Sequence, residues 1–206
     1  MKIMIAIPCM DQVPVLFMRS LVLLQKPDNC TLALKQGSLV YTSRNELAVQ
    51  AIESEADLVF WVDSDMTFQP DTLLRMIDVL TKNDLDILTA LCFRRVKPYT
   101  PTLFDKLEIK GEAAEWTEFK NIPNELFEVG GCGLAGMLMK TDVFFDVQNT
   151  FGNMFAPIGN NGEDVAFCWR ARQCGYHIYC DPNIVFGHVG NMVIDDHFYK
   201  AFRGTS

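Results

Sequence analysis

Leu58-Val59-Phe60-Trp61-Val62-Asp63-Ser64-Asp65 is the stretch on which the fold turns. Five apolar residues in a row give way at once to two carboxylates separated by one serine. An apolar run of this length without polar alternation reads as a strand buried on both faces, as in a parallel sheet covered by helices. The acids then mark its carboxyl end, the edge at which such sheets bind ligands.

The flanking segments repeat the pattern. Residues 3–7 are short, apolar and β-branched, and end at Pro8. Residues 13–24 carry apolar groups at helical spacing, and residues 31–34 predict a second strand. Ser43-Arg44-Asn45-Glu46 matches a capping box and predicts a helix start there, with Leu47, Ala51 and Ile52 facing inward. Pro70-Asp71 opens a further helix with Leu73, Leu74, Ile77 and Leu80 on its inner side, and residues 87–93 form the next apolar strand. Strand and helix therefore alternate through the first half, predicting an α/β domain with a mostly parallel central sheet and helices on both faces. The second half is less regular. Residues 94–101 read as a loop carrying Arg94, Arg95 and Lys97, residues 102–118 as a hairpin, and 126–129 and 137–139 as strands around a glycine cluster. Residues 151–162 form a Gly/Asn-rich loop, residues 163–173 a helix, and 177–180 and 184–186 two short strands followed by His188.

The bulk numbers exclude several classes. The chain has 206 residues, 49% hydrophobic and 21% charged, which suits one folded domain and excludes disorder. The net charge of −8 argues against non-specific nucleic-acid binding. Seven cysteines, an odd number without a Cys-x-x-Cys pair, fit a reducing cytoplasm. The opening apolar stretch meets Pro8 and Asp11 quickly and reads as a strand, and no apolar run reaches the ~18 residues of a membrane span.

Several constellations carry chemistry. Two carboxylates as close as Asp63 and Asp65 repel, and a divalent cation removes the conflict; Mn²⁺ and Mg²⁺ favour such oxygen ligands together with substrate phosphates. The competing reading is a solvated Asp-Ser-Asp turn. Glu163 and Asp164 open a helix after Gly162, where the dipole favours anions in any case, yet a carboxylate held there can take a proton from a hydroxyl. His188 sits between Gly187 and Gly190 as a candidate ligand, whereas His177 and His197 have no comparable setting. Arg44 near a helix start suits an anion. Gly130, Gly131 and Gly133 lack dinucleotide or P-loop spacing but permit a ligand to approach the backbone.

In order and separation these segments resemble the GT-A class of glycosyltransferases, in particular compact members of the family 2-like group, over residues 2–190. The resemblance rests on the strand ending at Pro8, on Ser43-Arg44-Asn45-Glu46-Leu47-Ala48, on Trp61-Val62-Asp63-Ser64-Asp65-Met66, on Leu91-Cys92-Phe93-Arg94-Arg95, on Gly162-Glu163-Asp164-Val165-Ala166-Phe167-Cys168 and on His188. It implies a catalytic domain over residues 1–190, with a nucleotide-sugar half at 1–93, an acceptor half at 94–190 and a tail at 191–206. It implies Asp65 and His188 as ligands of Mn²⁺ or Mg²⁺, with Asp63 on the metal through water or on the ribose. Pro8, Arg44, Ser64 and Gly131 would complete the nucleotide side, and Asp164 with Glu163 would act on the acceptor hydroxyl.

The expected reaction moves a sugar from a nucleoside diphosphate, UDP before GDP, to an acceptor hydroxyl with inversion. The acceptor is a glycan, a small molecule or, as a minor alternative suggested by Arg94, Arg95 and Lys97, a modified DNA base. Two other readings compete. A nucleotidyltransferase would carry a Gly-rich basic segment after the first strand, which residues 9–13 lack. A catalytically inactive sugar-nucleotide binding module would not need Asp63, Asp65, Asp164 and His188 together.

Overall fold

A computed structural model describes residues 1–190; the tail, with His197, lies outside the described residues. The first half runs β1 (Ile3–Cys9), α1 (Val15–Leu23), β2 (Cys30–Gln36), α2 (Val40–Glu53), β3 (Leu58–Val62), β4 (Met66–Thr67), α3 (Thr72–Lys82) and β5 (Ile87–Leu91). A hairpin follows, β6 (Leu103–Lys110) and β7 (Ala113–Glu118). Then come β8 (Phe127–Val129), β9 (Gly131–Cys132), β10 (Gly136–Lys140), α4 (Asp142–Phe151), α5 (Glu163–Gln173), β11 (Ile178–Val185) and β12 (Gly187–His188). Seven strands form the central sheet in the order β2-β1-β3-β10-β5-β11-β8. β2, β1, β3, β5 and β11 run the same way, and β10 and β8 run against them. The mostly parallel α/β architecture expected from the strand–helix alternation is thus present.

The pleat of β1 and β3 explains their unbroken apolar runs. Ile3, Ile5, Ile7, Leu58, Phe60 and Val62 pack on one side with Phe17 and Leu21 of α1 and Leu73 and Met76 of α3. Met4, Ala6, Val59 and Trp61 pack on the other with Leu47, Ala48 and Ala51 of α2, Phe144 of α4 and Phe167 of α5. Both faces are covered, so neither set of alternate residues is polar. Cys92, Cys132, Cys168 and Cys180 are buried among these layers, and all seven cysteines are free thiols. No helix among the described residues is long and apolar enough to cross a membrane.

Four local expectations are corrected. α2 begins at Val40 with Leu39 as its cap and no side-chain cap bond, so Ser43 is no capping residue. Ser43 is instead 2% exposed inside the helix, close to Gly37, whose missing side chain leaves it room. α3 buries Leu73, Met76 and Leu80, while Leu74 is exposed. α4 was not anticipated, although Val143, Phe144 and Val147 have helical spacing and Gly152 closes the helix in the left-handed conformation (φ 72°). Finally, the two strands expected on either side of Pro182 are one strand with a register shift between Asp181 and Val185. Asp181 Oδ1 accepts the Asn183 N–H at 2.9 Å, satisfying the backbone at the irregularity.

Candidate active site

The carboxyl ends of β1 and β3, the N-terminal end of α2 and the loop after β5 enclose a cleft of about 670 Å³. One end is lined by Pro8, Cys9, Gln12, Pro14, Gly37 and Ser38, largely neutral. The other carries Arg44, Asp63, Ser64, Asp65, Arg95 and Glu163. The Asp-Ser-Asp segment thus sits at a strand end facing a ligand-sized space, as its position in the sequence implies.

His188 reaches this segment through a small tertiary device. β4, two residues long, pairs antiparallel with β12, placing His188 opposite Met66. The Val189 N–H donates to the Asp65 carbonyl at 2.8 Å and closes the join. Phe186, just before β12, stacks on Phe68 (5.0 Å between centroids) and meets Phe60 edge-on (6.3 Å), so the aromatic core anchors the segment. Residues 123 apart in sequence are thereby brought within 3.1 Å: His188 Nε2 faces Asp65 Oδ2.

The second ring nitrogen decides what that contact means. His188 Nδ1 lies 2.9 Å from the Phe93 carbonyl oxygen, which can only accept, so Nδ1 carries a hydrogen. In the neutral ring Nε2 then presents a lone pair to the Asp65 carboxylate. Two acceptors at 3.1 Å need a proton or a cation between them. A backbone carbonyl that fixes the tautomer and aims the other nitrogen is also the usual support of a metal-bound histidine. One carboxylate and one imidazole suit a manganese- or magnesium-type ion that takes its remaining ligands from phosphate and water. Among the described residues no group of three or more His, Cys, Asp or Glu converges, so such an ion would depend on the ligand for part of its coordination.

Asp63 is held differently. Its Oδ1 accepts from Arg44 Nη2 at 2.7 Å, and Arg44 Nε reaches Glu163 Oε1 at 3.3 Å. The guanidinium is 2% exposed and lies over the Trp61 ring at 5.4 Å. Burial works against its charge, but Asp63 and then Glu163 outweigh burial and hold Arg44 above its ordinary range. Its Nη1 is buried without a hydrogen-bond partner among the described residues. Arg44 therefore lies past the first turn of α2 and acts as a buried tie between the β3 end and the start of α5. Glu163 is committed to that tie.

Asp164, the next residue, is free of it. Its Oδ1 accepts the Val165 N–H at 2.8 Å. Burial, followed by the neighbouring Glu163 carboxylate, pushes its carboxyl up from the ordinary range. Gly131 is not at the cleft. It is buried in β9, and a side chain on it would run into Leu107 at 2.6 Å. Its smallness serves packing of the hairpin against α5, not ligand approach. Reading the sequence alone passed over Arg95 as a member of this site. Its Nη1 pairs with Asp65 Oδ2 at 2.7 Å, and Arg94 pairs with Glu118 at 3.7 Å. The basic cluster after β5 is therefore largely answered by carboxylates within the molecule.

The family described as Anp1 matches residues 35–108, which include α2 and the Asp-Ser-Asp segment. The mannan polymerase complex subunit mnn9 of Schizosaccharomyces pombe is 25% identical over 185 residues, covering 75% of this chain and 52% of that protein. The chain thus spans about half the length of this curated relative. Among solved structures, A197 from STIV superposes with a TM-score of 0.66 at 18% identity, covering 93% of this chain and 87% of the other. GalNAc-T7, solved with UDP, GalNAc and Mn²⁺, gives 0.64 at 8% identity, covering 93% of this chain and 44% of the other. The likeness to these solved structures shows that the chain has the GT-A fold.

Proposed function

We propose that the chain transfers a sugar from a nucleoside diphosphate to an acceptor hydroxyl with the help of a divalent cation. The observation that carries this reading is the Asp65–His188 contact at the mouth of the cleft, where the Phe93 carbonyl holds one ring nitrogen and the other, Nε2, faces the Asp65 carboxylate at 3.1 Å. A Mn²⁺ or Mg²⁺ ion held by these two side chains would neutralise charge on the leaving diphosphate. The neutral end of the cleft, near Pro8 and Ser38, suits a base and ribose; the charged end suits the diphosphate. Arg44 orients Asp63 through its hydrogen bond, and Ser64 offers a hydroxyl between the two acids. UDP is the nucleotide of first choice, and the presence of UDP with Mn²⁺ in the GalNAc-T7 structure supports testing it first.

Asp164 is the proposed base. Desolvation raises its affinity for a proton toward that needed to take one from a sugar hydroxyl near neutral pH. A base on the acceptor side implies inversion at the anomeric carbon. Glu163 supports it indirectly, by raising the Asp164 pKa and anchoring Arg44. Seven free thiols support a reducing compartment for the protein.

The test is a thermal-shift series with UDP, GDP and other nucleoside diphosphates, with and without Mn²⁺. One diphosphate should raise Tm only when the ion is present, by the increment that mass action gives at saturating ligand. Asp65→Ala should remove the Mn²⁺ dependence. A wild-type protein indifferent to every diphosphate would sink the proposal.

A further inference from the structure

We infer that the chain forms a two-fold dimer through the edge strand β2, with the exposed flank of α1 packed over the seam. β2 ends the seven-stranded sheet, and among the described residues its outer edge pairs with no other strand. The two faces of this strand differ. Toward α2 it is finished: Ala33 is 5% exposed and Lys35 is paired with Glu46. Toward α1 it is bare: Leu32 is 48% and Leu34 is 56% exposed. Their registered partners Ile5 and Ile7 on β1 point to that same face and are covered by α1. The helix is displaced away from the edge, since Ser20 Oγ accepts the Phe68 N–H beyond β4. At helical spacing the opposite flank bears Met18, Val22 and Val15, which are 43%, 72% and 83% exposed.

Each of these five apolar side chains is at least 43% exposed, and apolar exposure gathered at one edge of the sheet is the kind of surface that a partner covers. The occupant must also satisfy a row of backbone N–H and C=O groups beside that surface. A lipid surface cannot, because hydrocarbon offers no partners for backbone polar groups; a second strand can. The sequence of β2 is self-complementary for this purpose. An antiparallel two-fold centred on Ala33 sets Leu32 against Leu34 on the α1 face. On the other face it sets Thr31 against Lys35, and at the ends Cys30 against Gln36. No like charges meet, and the two leucine pairs form the cross-strand contacts that stabilise a sheet. The result is one continuous sheet of fourteen strands, twice the seven of a single chain, with the two clefts at opposite ends of the joined strands.

Sedimentation equilibrium of the full chain over a concentration series tests this. The wild type should approach twice 23.3 kDa, and Leu32→Lys/Leu34→Lys should sediment at 23.3 kDa with an unchanged far-ultraviolet spectrum, since both residues are half exposed. Hydrogen exchange of the wild type supplies a second measurement that needs no variant: amides of residues 30–36 should exchange more slowly as protein concentration rises. A wild type that remains at 23.3 kDa throughout, or a dimer that the double variant leaves intact, overturns the proposal. A monomer that floats with neutral lipid vesicles also overturns it and assigns the face to a membrane surface.

Discussion

Asp164 and Arg44 show how residue type alone underdetermines a role. Arg44 lines the cleft and is held ionised by two carboxylates, whereas Asp164, next to the cleft-lining Glu163, is pushed toward its neutral form by burial and by Glu163. For Asp164 the consequence extends to stability. A carboxyl whose pKa is raised on folding binds more protons in the native state than in the unfolded chain. Its contribution is unfavourable once pH exceeds the raised value, and the penalty disappears as pH falls below the ordinary carboxylate range. Asp164→Asn retains the acceptor for the Val165 N–H and removes the penalty. It should therefore match or exceed the wild type in Tm at pH 7, and the difference should vanish in acid. Transfer should fall by about 10²–10⁴-fold, the usual worth of a general base, with Mn²⁺-dependent diphosphate binding intact. A Tm lower than wild type at pH 7 would mean that the carboxylate is a structural anchor instead. Asp164 was legible in the sequence as an acid at a helix start. Its separation from Glu163 was not, because only the fold shows which of the two Arg44 engages.

The pairing of β4 with β12 belongs to the element scale. Four residues, two on each side, carry His188 across the molecule to Asp65. Neither strand has a signal in the sequence, since two-residue strands are too short for any periodicity. Gly187 permits the approach: a side chain there would meet Thr67 Oγ1 at 2.5 Å, on a β-branched residue with little freedom to yield. Gly187→Val should therefore separate the strands. The expected result is loss of the Mn²⁺-dependent thermal shift with a Tm decrease far smaller than a core truncation gives, measured by calorimetry with and without the ion. Retention of the full Mn²⁺ response would show that His188 is placed by Phe186 alone. The same scale explains why α2 starts before the capping-box spacing predicts. Ser43 and Glu46 have capping-box spacing, but Ser43 is drawn into the interior against Gly37, and tertiary packing extends the helix back to Val40.

At the scale of the whole molecule, the central sheet separates two cores, and the site lies where one of them reaches the surface. Trp61 directs its ring into the layer of Phe144, Phe155 and Phe167, with edge contacts of 6.0 and 5.5 Å to the first two, while the next residues of the same strand enter the cleft. Phe144 is fully buried and remote from the cleft lining. Phe144→Ala should cost about 3–5 kcal/mol of unfolding free energy in urea titrations and leave the diphosphate-induced Tm increment in place. A loss below about 1 kcal/mol would mean that the cavity collapses easily. The apolar runs of β1, β3 and β5, their alternation with helices and the abrupt arrival of Asp63 after Val62 were determined by sequence alone, because burial on both faces of a parallel strand favours apolar residues, with the hydrogen-bonded Thr89 of β5 as the exception. Local pattern also located Asp65, Asp164 and His188 as separate points. Tertiary structure decided their partnerships: that Arg44 ties Asp63 to Glu163, that the Phe93 carbonyl holds the His188 ring, that Arg95 pairs with Asp65, and that Gly131 packs against Leu107. Those contacts join residues up to 123 apart, and no spacing rule along a chain encodes which distant groups a folded sheet will bring within reach.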